Sequence, residues 1–246
     1  MAPVLQLDGL CWSVGGAAII QDVSLAVGEG ELLAVIGPNG AGKTSLFNLV
    51  SGLIRATGGR ILLDGDDITA LPPHRRSGRG IGRTFQSSSL FATMTVAEHV
   101  ELAARCAGVR RVTASDVAGV LARVRLTGRG PDLAAGLSHG DKRKLELAML
   151  LAPTLQTGGD RARLMLLDEP MAGVASEETG ELTDLIRTLH REEGRTVLLV
   201  EHHMDVVLGL ADRIAVMHHG RLLAAAAPDA VMADATVQQA YLGDAL

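Results

Sequence analysis

Aromatic side chains are nearly absent from this chain: one tryptophan, one tyrosine and three phenylalanines amount to 2% of 246 residues. Single-stranded nucleic acid is gripped by stacking bases on aromatic rings inside a basic groove. The formal net charge of −5 supplies no basic footprint either, so nucleic acid is a poor partner for this sequence. Cysteine is scarcer still, with only Cys11 and Cys106. Their separation fits neither a metal-ligand spacing nor a disulfide framework, and both are expected to be ordinary apolar fillers. Although 47% of the residues are apolar, no uninterrupted run approaches the roughly 18 residues that span a bilayer. A charged region followed by an apolar one, the mark of a signal peptide, is also missing from the start. These exclusions leave a soluble cytosolic chain able to dock on a membrane protein. Its length suits one α/β domain with a subdomain and leaves no room for a second full-size domain.

Glycine, by contrast, is abundant and placed to a purpose. Gly37-Pro38-Asn39-Gly40-Ala41-Gly42-Lys43-Thr44 fits the phosphate-binding P-loop pattern. The apolar stretch 32–36 precedes it with strand length, and residues 45–50 follow as a helix. Strand, glycine turn and helix form a nest of inward-pointing N–H groups that a polyphosphate fills, reinforced by the positive end of the helix dipole. Lys43 would reach the terminal phosphates, and the Thr44 hydroxyl would ligate a bridging magnesium. A nucleoside triphosphate is the expected ligand.

The first 30 residues alternate short apolar runs with turn signals and read as antiparallel strands and hairpins feeding the P-loop strand. Residues 60–63 add a further strand, closed by the turn 64–67. From 87 to 151 the pattern becomes helical, with segments 96–107, 115–124 and 138–151, a helical insertion in an α/β core. The strand pattern returns at 164–167, which ends on Asp168, Glu169 and a proline. A helix follows, expected to be capped by Ser176, with Glu177 and Glu178 in its first turn and Gly194 after its end. Leu182, Leu185, Ile186 and Leu189 give it one apolar face. A last buried strand, 196–200, ends at Glu201-His202-His203. Strands alternating with helices predict a mostly parallel sheet with its ligand at the carboxyl ends of the strands.

Three apolar strands therefore end in the P-loop, in Asp168-Glu169 and in His202. These residue types at converging strand tips suit phosphoryl transfer to water. Asp168 is placed to hold magnesium through a water, Glu169 to orient and deprotonate the attacking water, and His202 to contact the γ-phosphate. His203 is an alternative register for that last role. The cluster His74-Arg75-Arg76 with Arg79 and Arg83 reads as a solvated face, because it is short and the chain is acidic overall.

The order of these motifs resembles the ATP-binding subunit of an ABC transporter over almost the whole chain. Residues 37–45, from Gly37 through Ser45, look like its Walker A motif, Thr84-Phe85-Gln86 like its Q-loop, and Leu137-Ser138-His139-Gly140-Asp141 like its signature. Residues 164–169 look like Walker B, Met171-Ala172-Gly173-Val174-Ala175 like the D-loop, and His202 occupies the switch position. The resemblance implies one 246-residue domain, a core of 1–86 and 152–246 with a helical signature subdomain at 87–151. Gln86 would reach magnesium and the attacking water and report to a transmembrane permease. Ser138 can cap the following helix and Gly140 permits close approach, making a second anion site. In the family that site serves the ATP of a second, head-to-tail ATPase subunit, identical or different, with a solute-binding protein acting on the far side of the membrane.

Within the family the details look most like the branched-chain amino-acid and urea importers, on Gly80-Ile81-Gly82-Arg83-Thr84-Phe85-Gln86, Met94-Thr95-Val96-Ala97-Glu98 and the terminal Ala240-Tyr241-Leu242-Gly243. A lipopolysaccharide-export ATPase shares the layout. A soluble nucleic-acid or ribosome-associated ABC protein and a binding-only subunit are further alternatives. Val14 stands at the usual adenine-stacking aromatic, with Trp12 on the same strand face. Ala175 replaces the D-loop aspartate, and His139 and Asp141 replace signature residues. Residues 154–163 lengthen a surface link around Gly158-Gly159. Lys43, Gln86 and Glu169 remain, so hydrolysis of ATP is expected.

Overall fold

The computed structural model describes residues 3–86, 89–156 and 163–243; the Gly158-Gly159 link predicted from the sequence lies outside them. Two sheets form the frame. An antiparallel sheet is built from β1 (Leu5–Val14), β2 (Ala17–Val27), β4 (Gly58–Leu63) and β5 (Asp66–Asp67), in the order β2-β1-β4-β5. The second sheet contains β3 (Leu32–Ile36), β6 (Ile81–Arg83), β7 (Leu164–Asp168), β8 (Val197–Val200), β9 (Arg213–His218) and β10 (Arg221–Ala226), ordered β10-β9-β3-β8-β7-β6. All of its pairings are parallel except that of β9 with β10.

The central strands are buried on both faces, as parallel strands flanked by other layers must be. Alternate residues of β3 serve two cores: Leu32, Ala34 and Ile36 join the helical side, and Leu33 and Val35 the antiparallel side. The antiparallel side also holds α1 (Lys43–Ser51), whose Leu46, Phe47 and Leu49 are fully enclosed. The short α2 (Pro73–Ser77) lies beside it. On the other side pack α3 (Val96–Cys106), α4 (Ala114–Arg123), α5 (His139–Leu151) and α6 (Ser176–Arg191). After β8 come α7 (Met204–Leu210) and, past β10, α8 (Pro228–Ala233) and α9 (Ala235–Gly243).

Local chemistry explains the helix starts. Thr95 with Glu98 and Thr113 with Asp116 form reciprocal capping boxes at α3 and α4, and Ser138 caps α5 by accepting from the Asp141 N–H. The expected Ser176 cap does not form. The extended residue at the N-cap is Ala175, whose carbonyl accepts the Glu178 and Thr179 N–H groups. Ser176 is thus already inside the helix. Among the described residues, no helix is long and apolar enough to cross a membrane.

Two other expectations change. Cys106 is exposed at the end of α3, and Cys11 is half-buried in β1, donating to the Gly9 carbonyl and accepting the Asp22 N–H, so neither is a core filler. The basic cluster is not one solvated face either. His74, Arg75 and Arg79 are exposed, but Arg76 is 2% exposed and Arg83 is packed inside. Arg76 donates to the carbonyls of Leu49 and Val50 at the end of α1, and to those of Thr69 and Leu71. It closes the orphan carbonyls that every helix C-terminus leaves, and burial lowers its pKa, opposed by Asp67. Arg76→Met should cost roughly 3 kcal/mol in urea unfolding, because it strands buried carbonyls that a charged donor now satisfies; an unchanged midpoint and slope would contradict this role.

Candidate nucleotide site

Strand β3 runs straight into the glycine loop, and α1 begins at Lys43 behind Gly42, a left-handed N-cap. At Gly37 (φ +151°) a Cβ would lie 2.1 Å from the Met217 carbonyl oxygen of β9, so only glycine lets the loop pass that strand. Asn39, Gly40 and Thr44 are exposed, Pro38, Gly42 and Ser45 are half-buried, and Ala41 is buried. Lys43 curls back, its ammonium donating to the carbonyls of Gly37 at 2.7 Å and Pro38 at 3.0 Å. Burial lowers the Lys43 pKa, while the negative charges of Glu169 and Asp168 oppose the shift. The loop lysine and the two acids therefore share one electrostatic neighbourhood.

Strand β7 delivers those acids. The Asp168 side chain is 1% exposed. Its Oδ2 accepts from Arg83 at 2.8 Å, and its backbone N–H donates to the Thr84 hydroxyl. Burial pushes the Asp168 carboxyl above the ordinary range and Glu169 adds to the rise, whereas Arg83 and Lys43 pull it down. Oδ1 of Asp168 is buried without a hydrogen-bond partner. That orphaned oxygen, with the Thr44 hydroxyl at the start of α1, is a hard-oxygen donor set suited to magnesium, which keeps waters and phosphate oxygens as its other ligands.

Glu169 sits in the left-handed region at φ +49°, a conformation costing of order 1 kcal/mol for a non-glycine residue. Its N–H bonds to the Val200 carbonyl at 2.9 Å, and its carboxylate Oε1 lies 3.0 Å from His202 Nε2. At the tip of β8, His202 pairs with Glu169, and His203 pairs with the buried Glu201 at 2.6 Å.

The remaining predicted residues stand apart from that cluster. Gln86 is exposed after β6, held through its main chain: Arg143 of α5 donates to the carbonyls of Phe85, Gln86 and Ala172. Arg143 thus joins the segments after β6 and β7, a link that no short motif in the sequence announces. Val14 is exposed at the end of β1, while Trp12 is half-buried against the antiparallel core. Ser138 and Gly140 find their partner on α6. The Ser138 hydroxyl donates to Glu178 Oε1 at 2.7 Å and the Gly140 N–H to Glu178 Oε2 at 3.3 Å. A cleft of about 360 Å³ opens beside β6, walled by Leu53, Phe85, Cys106, Met149 and Leu150.

A parallel sheet with a glycine loop, two acids and a histidine at adjoining strand tips defines a P-loop nucleotide-binding protein. A family model described as ABC transporter matches residues 20–172. The chain is 36% identical to the high-affinity branched-chain amino acid transport ATP-binding protein BraF of Pseudomonas aeruginosa, with 99% of each covered. It is 35% identical, at the same coverage, to LivG of Escherichia coli K12, which carries the same description. Identity is also 35% to the lipopolysaccharide export system ATP-binding protein LptB of Acidithiobacillus ferridurans, over 99% of this chain and 98% of that one. Among solved structures, an ATP-binding cassette of an ABC transporter in its ADP conformation superposes with a TM-score of 0.87 at 26% identity, covering 99% of this chain and 100% of the other. A nucleotide-free cassette gives 0.83 at 26%, covering 97% and 98%. The chain belongs to the ABC transporter family, as an ATP-binding subunit.

The loop geometry makes a differential prediction. Gly40→Ala meets nothing within 4 Å and should cost only the left-handed strain of about 1 kcal/mol. Gly37→Ala, blocked by a backbone oxygen, should melt markedly lower and lose binding of a fluorescent ATP analogue. Equal melting of the two variants would refute the packing argument.

Proposed function

We propose that this chain binds and hydrolyses magnesium-ATP to power an importer of branched-chain or other hydrophobic amino acids or of urea, working peripherally on the cytoplasmic face of the membrane. The observation that carries the reading is the Glu169–His202 contact of 3.0 Å beside Asp168 and Lys43. In this scheme the loop N–H groups cradle the phosphates, and Lys43 exchanges the Gly37 and Pro38 carbonyls for phosphate oxygens. Thr44, the free Oδ1 of Asp168 through a water, and Gln86 would hold the metal. Magnesium, when bound, neutralises charge on the phosphate oxygens. Glu169 orients the attacking water and takes its proton as the water adds to the γ-phosphorus and the bond to the ADP oxygen breaks. His202 holds the Glu169 carboxylate and faces the γ-phosphate. The names of BraF and LivG support the amino-acid class over lipopolysaccharide export.

Two such subunits, identical or different, would close head to tail, with Ser138 and Gly140 of each on the other's ATP. The helical segment 87–151 would carry the motion to permease helices docked in the cleft beside Phe85, and a solute-binding protein would deliver the solute from outside. Val14 would line the adenine end of the site without stacking on it. Closure requires Glu178 to leave Ser138 and Gly140, since a carboxylate now occupies donors meant for phosphate.

Glu169→Gln should leave ATP binding intact and cut steady-state hydrolysis by about 10²–10⁴, the usual worth of a general base; unchanged turnover would refute the assignment. Glu178→Ala, which removes both acceptor oxygens, should release the signature donors and increase ATP-dependent pairing in sedimentation. Pairing weaker than that of the native chain would mean that Glu178 supports the closed state instead.

A further inference from the structure

We propose that Arg83 is a positioning residue for the divalent cation, fixing the Asp168 carboxylate so that one oxygen is held and the other is presented to the metal. The inference rests on the reading that Asp168 faces the cation, and it assigns a role to a side chain that the loop and strand-tip motifs leave unused.

Arg83 ends β6, which pairs with β7 in register Arg83↔Leu166. From there the guanidinium reaches across to Asp168 Oδ2 at 2.8 Å with Nη2, and to Asn48 Oδ1 at 2.7 Å and Ser51 Oγ at 2.9 Å with Nη1. Asn48 and Ser51 belong to α1, the helix that starts at the P-loop lysine. One planar fork therefore ties the carboxylate of β7 to the body of the nucleotide-loop helix. The side chain is only 6% exposed, with its charge over the rings of Phe85 at 5.0 Å and Phe47 at 5.8 Å. A lysine could not match it, because a point charge lacks the paired donors in fixed geometry.

The division of labour among the charges is informative. Lys43 is engaged by the loop carbonyls and is the group a phosphate would claim. Arg83 is the cation bonded to Asp168, and it engages Oδ2 alone while Oδ1, like the Arg83 Nε, remains buried without a partner. A pair serving only the fold would be most stable with both oxygens bonded. Arg143 likewise engages one oxygen of Glu146 and leaves the other without a partner, so the pattern gains its meaning at Asp168 from its place at a strand tip tied to the P-loop helix, where an outer-shell residue orients a metal ligand.

The test is the gain in affinity for a fluorescent ATP analogue on adding Mg²⁺, relative to a chelator, in the full-length chain. Arg83→Met should cut that gain by about 10–100-fold, the usual effect of losing an outer-shell partner, with affinity in chelator unchanged. Arg83→Lys, which keeps the charge and guards against a folding failure, should lose part of it. Ser51→Ala, which removes a different partner of the same guanidinium, should keep it. In an Asp168→Asn background, Arg83→Met should subtract nothing further. A native Mg²⁺ gain in both Arg83 variants, with only a lower melting temperature, would overturn the proposal and leave the pair as a fold-holding contact. A native gain in Asp168→Asn itself would instead overturn the reading on which the proposal rests.

Discussion

The hydrogen-bond register among three parallel strands sets everything else in this molecule. Val35 of β3 pairs with Val200 of β8, and Val200 pairs with Asp168 of β7. The P-loop, the acids and the histidine therefore leave the sheet at one level and on one edge. Parallel strands reach this state only when both faces are covered, because each of the three is apolar up to its tip. The two cores that cover them are thus a condition of the chemistry, with Leu33 and Val35 facing one and Leu32, Ala34 and Ile36 the other. A register slip of one residue would reverse every side chain along a strand and disperse the site.

On that frame the donors of both proposed phosphate sites are bonded within the chain. The Lys43 ammonium rests on the loop carbonyls of Gly37 and Pro38, and the donors at the start of α5 rest on the Glu178 carboxylate. Lys43 and Gly140 are buried, and an unsatisfied buried donor is costly, so in the proposed scheme these internal oxygens stand in for phosphate oxygens, while the exposed Ser138 hydroxyl follows Gly140 onto the same carboxylate. Binding then becomes an exchange of oxygen partners, and its net strength is smaller than a contact list would suggest. The strained backbone at Glu169 belongs to the same logic. The β7–β8 ladder holds that residue in a left-handed conformation that turns its carboxylate toward His202.

Much of this was legible in the sequence because its signals are local. A P-loop is contiguous, a strand tip shows as an apolar run ending in charge, and capping boxes span a few residues. The resemblance to ABC subunits agrees with the family match and the structural neighbours. What the sequence hid depends on long-range pairing. Arg76 and Arg83 sit in a short basic cluster that looks like a wet face, yet their partners lie in α1 and β7, up to 85 residues away. Arg143 is similar, reaching Phe85 from a helix 58 residues on. Which carboxylate each histidine meets, Glu169 for His202 and Glu201 for His203, depends on strands brought together from distant sequence, and Ser176 lost the cap to Ala175 because the helix starts one residue early.

In the proposed function this site drives a machine whose load lies in a membrane. The most direct measurement is to tag the chain in its native host, purify it from gently solubilised membranes and identify every copurifying protein. An importer subunit should bring down permease subunits, an ATPase partner or second copy, and a solute-binding protein, with hydrolysis stimulated by amino acids or urea. Recovery only in the soluble fraction, with ribosomes or nucleic acid, would contradict it.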